Sequence, residues 1–214
     1  MPLITITTDF GTGSPYVAAM KGVVLSINPG ATLIDITHGV PPQDVRAGMV
    51  VLSDACRWFP EGTIHLAVVD PGVGTERRIV CIESRGHVFV GPDNGLLTLA
   101  VASDVPTKAH QIVEPRYRLA EVSCTFHGRD IMAPAAAHLS LGVTPRELGP
   151  PLDDWVRLEL SPTRVRSGRI EGEVLTIDSF GNVITSVTAG DLERAFEGLS
   201  QVAGNVAVIC GPHE

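Results

Sequence analysis

The sequence is poor in aromatic rings, 5% of its 214 residues, and holds only four cysteines. Cys56, Cys81, Cys124 and Cys210 stand apart, without a C-x-x-C pair. That spacing argues against a disulfide framework or a zinc site and reads as buried thiols in a reducing cytoplasm. Lysine and arginine form no run or stripe and the formal net charge is −8, so nucleic acid is not an expected partner. No apolar run reaches the roughly 18 residues that a membrane span needs. Met1-Pro2-Leu3-Ile4-Thr5-Ile6 lacks the basic start and small-residue cleavage site of a signal peptide. A P-loop is also missing. Asp9-Phe10-Gly11 and His127-Gly128-Arg129-Asp130 stand in the wrong order for a kinase and lack its glycine-rich loop and lysine.

What remains, 44% hydrophobic and 19% charged, is a globular composition long enough for a large core and a smaller second domain. The chain is organised around Asp70-Pro71-Gly72-Val73-Gly74-Thr75-Glu76-Arg77-Arg78. An apolar strand over residues 63–69 runs into this loop and stops at Pro71, which has no N–H to donate to a ladder. A carboxylate, two glycines and two cations at a strand's carboxyl end fit a ligand site in an open α/β protein. They fit an ordinary tight turn with a solvated arginine pair equally well.

Strands are expected over 3–8 and 32–37, and helices over about 15–27 and 43–58. This β-α-β-α-β order implies a parallel sheet with right-handed crossovers. Asp9, His38 and Asp70 then converge on one sheet edge. Strands over 79–83 and 87–90 follow, then the Gly91-Pro92-Asp93-Asn94-Gly95 turn and a poorly patterned stretch over 104–118. The alanine-rich run 131–141 reads as a helix. Gly149-Pro150-Pro151 is the linker candidate, dividing an α/β domain, 1–150, from a small β domain, 151–214. The latter is expected to hold strands over 169–177, 183–187 and 205–210 and a helix over 189–196.

Asp70, Arg77 and His127 form a set able to orient water and stabilise hydroxide, although His127 also reads as a helix-capping or buried neutral histidine. His138 reads as core. Asp9 is an acceptor for ribose hydroxyls or a helix cap. Asn94 reads as a turn residue. Phe180 offers a ring to stack on a base and Asn182 an amide to read its edge, with a hairpin turn as the plain alternative. Asp9, Asp35, Asp44 and Asp70 lack clustered metal-ligand spacing. A metal-dependent phosphohydrolase built on Asp9, Asp35 and Asp70 is the weakest of the alternatives.

Five strings in order, Thr8-Asp9-Phe10-Gly11, Asp70-Pro71-Gly72-Val73-Gly74 with Arg77, Gly91-Pro92-Asp93-Asn94-Gly95, Thr125-Phe126-His127-Gly128-Arg129-Asp130 and Asp178-Ser179-Phe180-Gly181-Asn182, resemble the S-adenosylmethionine (SAM) hydroxide adenosyltransferases, relatives of the fluorinase and chlorinase. The resemblance covers residues 3 to about 188. It implies an α/β domain followed by a small β-barrel, and hydrolysis of SAM to adenosine and L-methionine by activated water at C5′. It implies no metal or redox cofactor. It makes Asp70, Arg77 and His127 catalytic. It assigns Asp9 to ribose, Phe180 and Asn182 to adenine, Asp178 to methionine and Asn94 to the pocket. Halogenases of the superfamily carry Tyr where this chain has His127, which favours hydroxide over halide. The alternatives are a chlorinase-like halogenase and a nucleoside-binding module without turnover. The resemblance further implies a homotrimer with sites shared between subunits. Family members continue past residue 214, so the barrel is expected to be incomplete here.

Overall fold

The computed structural model describes residues 2–101, 107–166, 168–178, 180–196, 209 and 211. They fall into two compact units, Met1–Leu158 and Glu159–Glu214.

The first unit is built on a six-stranded sheet in the order β2-β1-β3-β5-β4-β6. Its strands are β1 (Leu3–Thr8), β2 (Thr32–Thr37), β3 (Ile64–Val68), β4 (Ile79–Ser84), β5 (His87–Pro92) and β6 (Lys108–Gln111). β2, β1, β3 and β5 run parallel, whereas β4 is antiparallel to both β5 and β6. The mostly parallel α/β sheet expected from the sequence is therefore present. β3 is buried throughout, and its alternate residues feed two cores, as the strand period requires. Leu66 and Val68 pack with Met20, Val24 and the Ala135–Ala137 run on one face. Ala67 and Val69 pack with Ala47, Leu52 and Phe89 on the other.

Helix α1 (Pro15–Ile27) starts where expected: Ser14 caps it by accepting the Tyr16 N–H, and Pro15 pre-sets the first turn. Helix α2 (Val45–Cys56) is capped by Asp44, which accepts from the Ala47 N–H. The alanine-rich helix α3 (Ala133–Ser140) is shorter than the sequence suggested, because residues Gly128–Met132 form a π-helical turn ahead of it. His138, expected in the core, is half-buried with its ring edge against Tyr117. Of the thiols expected to be buried, Cys56 and Cys81 are, and Cys124 is exposed in the loop leading to His127. Cys210 lies outside the described residues.

The stretch read as poorly patterned contains β6, which the sequence analysis missed. Lys108-Ala109-His110-Gln111 has little apolar alternation and owes its strand form to pairing with β4. The proposed linker packs along β6: the Gln111 N–H donates to the Pro150 carbonyl, and Pro151 bridges to His110.

The second unit holds two small antiparallel pairs, β7 (Arg164–Arg166) with β8 (Arg169–Glu171) and β9 (Val174–Ile177) with β10 (Val183–Thr185), and helix α4 (Ala189–Ala195). Among the described residues these sheets do not close into a barrel. The single strand expected over 169–177 is broken between β8 and β9. The strand expected over 205–210 lies outside the described residues. No helix among the described residues is long and apolar enough to cross a membrane.

Candidate active site

The register of β1 pairs Thr8 with Val68 of β3 and Thr7 with Thr37 of β2. The residues that follow, Asp9, His38 and Asp70, thus leave the sheet at one edge, as parallel strands require. Asp9 and Asp70 line a cavity of about 560 Å³ there, together with Phe10, Gln43, Phe126 and His127.

Arg77 does not itself line the cavity; it bridges two residues that do, Asp70 and His127. Its Nε lies 2.8 Å from Asp70 Oδ1 and 2.9 Å from Oδ2, and its Nη2 also donates to Oδ2. The two side chains are only 9% and 6% exposed, so water screens this pair weakly. The same Nη2 lies 2.8 Å from His127 Nδ1. A guanidinium only donates, so Nδ1 carries the lone pair and the neutral ring bears its hydrogen on Nε2. Burial first, and the Arg77 charge second, hold His127 below the usual histidine range, against the opposite pull of Asp70 and Asp130.

Two glycines bring these groups together. Gly74 has φ +80°, and a Cβ there would sit 2.5 Å from the Cys124 carbonyl oxygen. The Asp70–Arg77 loop can therefore lie directly on the loop preceding His127. A Cβ on Gly128 would crowd Val68 at 3.1 Å, so its absence lets the His127 turn press on the end of β3. The π-helical turn then buries Asp130, whose carboxylate accepts from Arg129 Nε at 2.5 Å and from the Ser123 N–H at 2.8 Å. π-turns recur at functional sites because they re-aim one turn of side chains.

Asp9 Oδ2 accepts the Gln43 N–H at 2.7 Å. Gln43 is a non-glycine residue in the left-handed region, φ 65°. Sequence reasoning missed it; the only signal was the stiff Pro41-Pro42 pair before it. It also missed Tyr16, whose ring packs edge-on against Phe10 and Phe126 at the cavity wall. Asn94 is not a lining residue. Its amide donates to the Val69 carbonyl at 2.9 Å and accepts the Leu96 N–H at 3.1 Å, bracing the strand end before Asp70. The other acidic residues considered for a metal are engaged too: Asp35 with Lys21 and His38, Asp44 as a helix cap.

In the second unit, Asp178 Oδ1 accepts from the Phe180 and Asn182 N–H groups, at 2.9 and 2.8 Å. Its Oδ2 accepts from Asn182 Nδ2 at 2.7 Å. These bonds, that from the Asn182 side chain foremost, hold Asp178 below the usual carboxylate range. Phe180 presents a ring that is 90% exposed.

Residues 4–149 match the family model of the SAM hydroxide adenosyltransferase N-terminal domain. The chain belongs to this family. It is 48% identical over 189 residues to the (R)-S-adenosyl-L-methionine hydrolase of Thermus thermophilus, covering 84% of this chain and 72% of that one. A fluorinase from an Actinoplanes species is a more distant family relative, 33% identical over 221 aligned positions that cover 91% and 74% of the two chains. Among solved structures, an uncharacterised conserved protein from Thermotoga maritima superposes with a TM-score of 0.79 at 40% identity, covering 86% of this chain and 71% of that one.

Proposed function

We propose that this chain hydrolyses S-adenosyl-L-methionine to adenosine and L-methionine. The observation that carries the reading is the Arg77 guanidinium held between Asp70 and the lone-pair nitrogen of His127, two residues that line the cavity. A sulfonium is a good leaving group, so the protein's task is to align water behind C5′ and strip its other solvent. Attack forms the C5′–O bond, breaks the C5′–S bond, returns the electron pair to sulfur and frees one proton. Asp70 fixes Arg77, and Arg77 stabilises the developing hydroxide. Neutral His127 takes the proton at Nδ1, its basic nitrogen, and the Arg77 N–H released from that nitrogen turns to the new oxygen.

Asp9 accepts the ribose hydroxyls. Family resemblance supports Phe180 and Asn182 on the adenine side and Asp178 on the methionine side; Asn94 acts on the pocket from behind, by bracing the strand end before Asp70. Family resemblance also supports a homotrimer that shares sites between copies and a reaction that needs no cofactor, while the scattered thiols support a reducing cytoplasm.

Incubation with SAM in 18O-labelled water tests the reaction. The expected products are methionine and adenosine in equal amounts, with the label in the adenosine 5′-hydroxyl. Unlabelled adenosine, or a 5′-chloro nucleoside formed with chloride and no adenosine, overturns the reading.

A further inference from the structure

A second chain of polar groups runs behind the cavity wall, and the reaction just proposed does not use it. It starts at Lys21 on α1, whose Nζ lies 2.6 Å from Asp35 Oδ2 on β2. Asp35 Oδ1 lies 3.0 Å from His38 Nε2. The N–H there points off the carboxylate oxygen, so the contact is an electrostatic pairing more than a directed hydrogen bond. His38 Nδ1 is 2.9 Å from Thr8 Oγ1, and Thr8 Oγ1 accepts the Phe10 N–H at 3.3 Å. The His38 backbone joins in: its carbonyl accepts the Gly11 N–H at 2.8 Å.

The directions follow from the donors. The Asp35 carboxylate beside Nε2 can only accept, so the neutral imidazole keeps its hydrogen on Nε2, and Nδ1, left with the lone pair, takes the Thr8 hydroxyl hydrogen. The order hydroxyl, imidazole, carboxylate is that of a nucleophile triad. Thr8 and His38 are both buried, however, and neither lines the cavity. The hydroxyl has no path to a substrate. What the arrangement touches is the turn that carries Asp9: the ring of His38 grips it before Phe10 and the carbonyl grips it after.

We infer that His38 is a positioning residue for the Asp9-Phe10 turn, acting through the Thr8 hydroxyl, and that it sets how tightly the nucleoside part of the substrate is held. The inference rests on the proposed role of Asp9. It assigns His38 an effect on binding, separate from the Arg77–His127 chemistry.

The test compares His38→Ala, His38→Asn and Thr8→Val. An asparagine amide oxygen can take the place of Nδ1, so it restores the acceptor for Thr8 without the ring. The expected result for His38→Ala is a KM for SAM and a Kd for adenosine, by calorimetry, both raised about tenfold, with kcat changed less than about threefold. His38→Asn recovers most of the loss. Thr8→Val matches His38→Ala, and the double variant is no worse than either, as expected for one pathway. An unchanged KM and Kd in His38→Ala, a fall in kcat alone, or an asparagine variant as weak as the alanine one overturns the inference. Hydrogen exchange separates this outcome from failure of the SAM reading. If the wild type neither binds adenosine nor consumes SAM, the substrate assignment falls. The positioning role then stands or falls on the Phe10 amide, which exchanges faster in His38→Ala and at the wild-type rate in His38→Asn.

Discussion

His65 and His127 lie toward opposite ends of β3 in the first unit, and each is held neutral by different means. His65, near the amino end of β3, is fully buried, stacked on Phe89 with ring centroids 5.0 Å apart. Its Nδ1 pairs with Thr5 Oγ1 at 2.7 Å and its Nε2 with His87 Nδ1 at 3.2 Å. Desolvation first, and His87 second, push it down to about 3. His127, beyond the carboxyl end of β3, is only half-buried, and a neighbouring cation does part of the work. Burial alone neutralises a ring by isolating it. A fixed guanidinium neutralises a ring that still faces a cavity, and only the second kind is available to a substrate.

The largest separation between the two is expected in turnover. His127→Ala lowers kcat/KM for SAM by about 10²–10³-fold, the range for losing a general base beside an electrostatic stabiliser. His65→Gln leaves kcat/KM within about twofold, since distant sites act independently. Equal losses in the two variants would erase the distinction. Arg77→Ala is the less clean probe, because it also leaves the nearly sealed Asp70 carboxylate unpaired.

Stability against pH tests the other side. The unfolded chain protonates His65 near its ordinary 6.5, and the folded chain refuses that proton down to about 3. In that window the unfolded state binds more protons. Folding free energy is therefore intact above 6.5 and falls on acidification, by about 1.4 kcal/mol per pH unit. Urea melts between pH 7 and 4 read the slope, which should shrink in His65→Gln. A slope identical in wild type and variant would show that the ring titrates freely.

A third test asks what brings His127 to Arg77. Gly74→Ala places a Cβ in a left-handed residue and 2.5 Å from a backbone carbonyl. Gly142 has φ +95° with open space around it, so Gly142→Ala carries the strain without the clash. Gly142→Ala loses about 1 kcal/mol of stability from strain alone, and Gly74→Ala loses more because the clash adds to it. Only Gly74→Ala is expected to lose activity, about tenfold, because parting the two loops misplaces the groups proposed to be catalytic.

Much of this was legible in the chain, and the reasons differ by residue. β1 and β3 announce themselves by β-branched and apolar runs that stop at Asp9 and at Asp70-Pro71, so the shared sheet edge followed from topology. β6 was hidden because its burial comes from a partner strand, not from its own pattern. The π-turn was hidden because apolar periodicity does not separate one extra residue per turn from a regular helix. The contact between Arg77 and His127, 50 residues apart, rests on the approach of Gly74 to Cys124, which no spacing rule records.

The smallest effect expected is also the most direct reading of the site. His127 sits below its ordinary 6.5, so its neutral form persists into mild acid. The acid limb of kcat/KM should therefore fall below that value, and an NMR titration of the ring should give the same midpoint. Burial and three charged groups contend for this proton equilibrium: burial and Arg77 oppose the charge, while Asp70 and Asp130 favour it. A midpoint above 6.5 would mean that the carboxylates win and that the ring rests as a cation. Its Nδ1 would then carry a hydrogen pointed at the Arg77 Nη2, which has no lone pair to accept it. The 2.8 Å approach of those two nitrogens is incompatible with that state, so the sign of this small shift decides whether the ring can serve as a base.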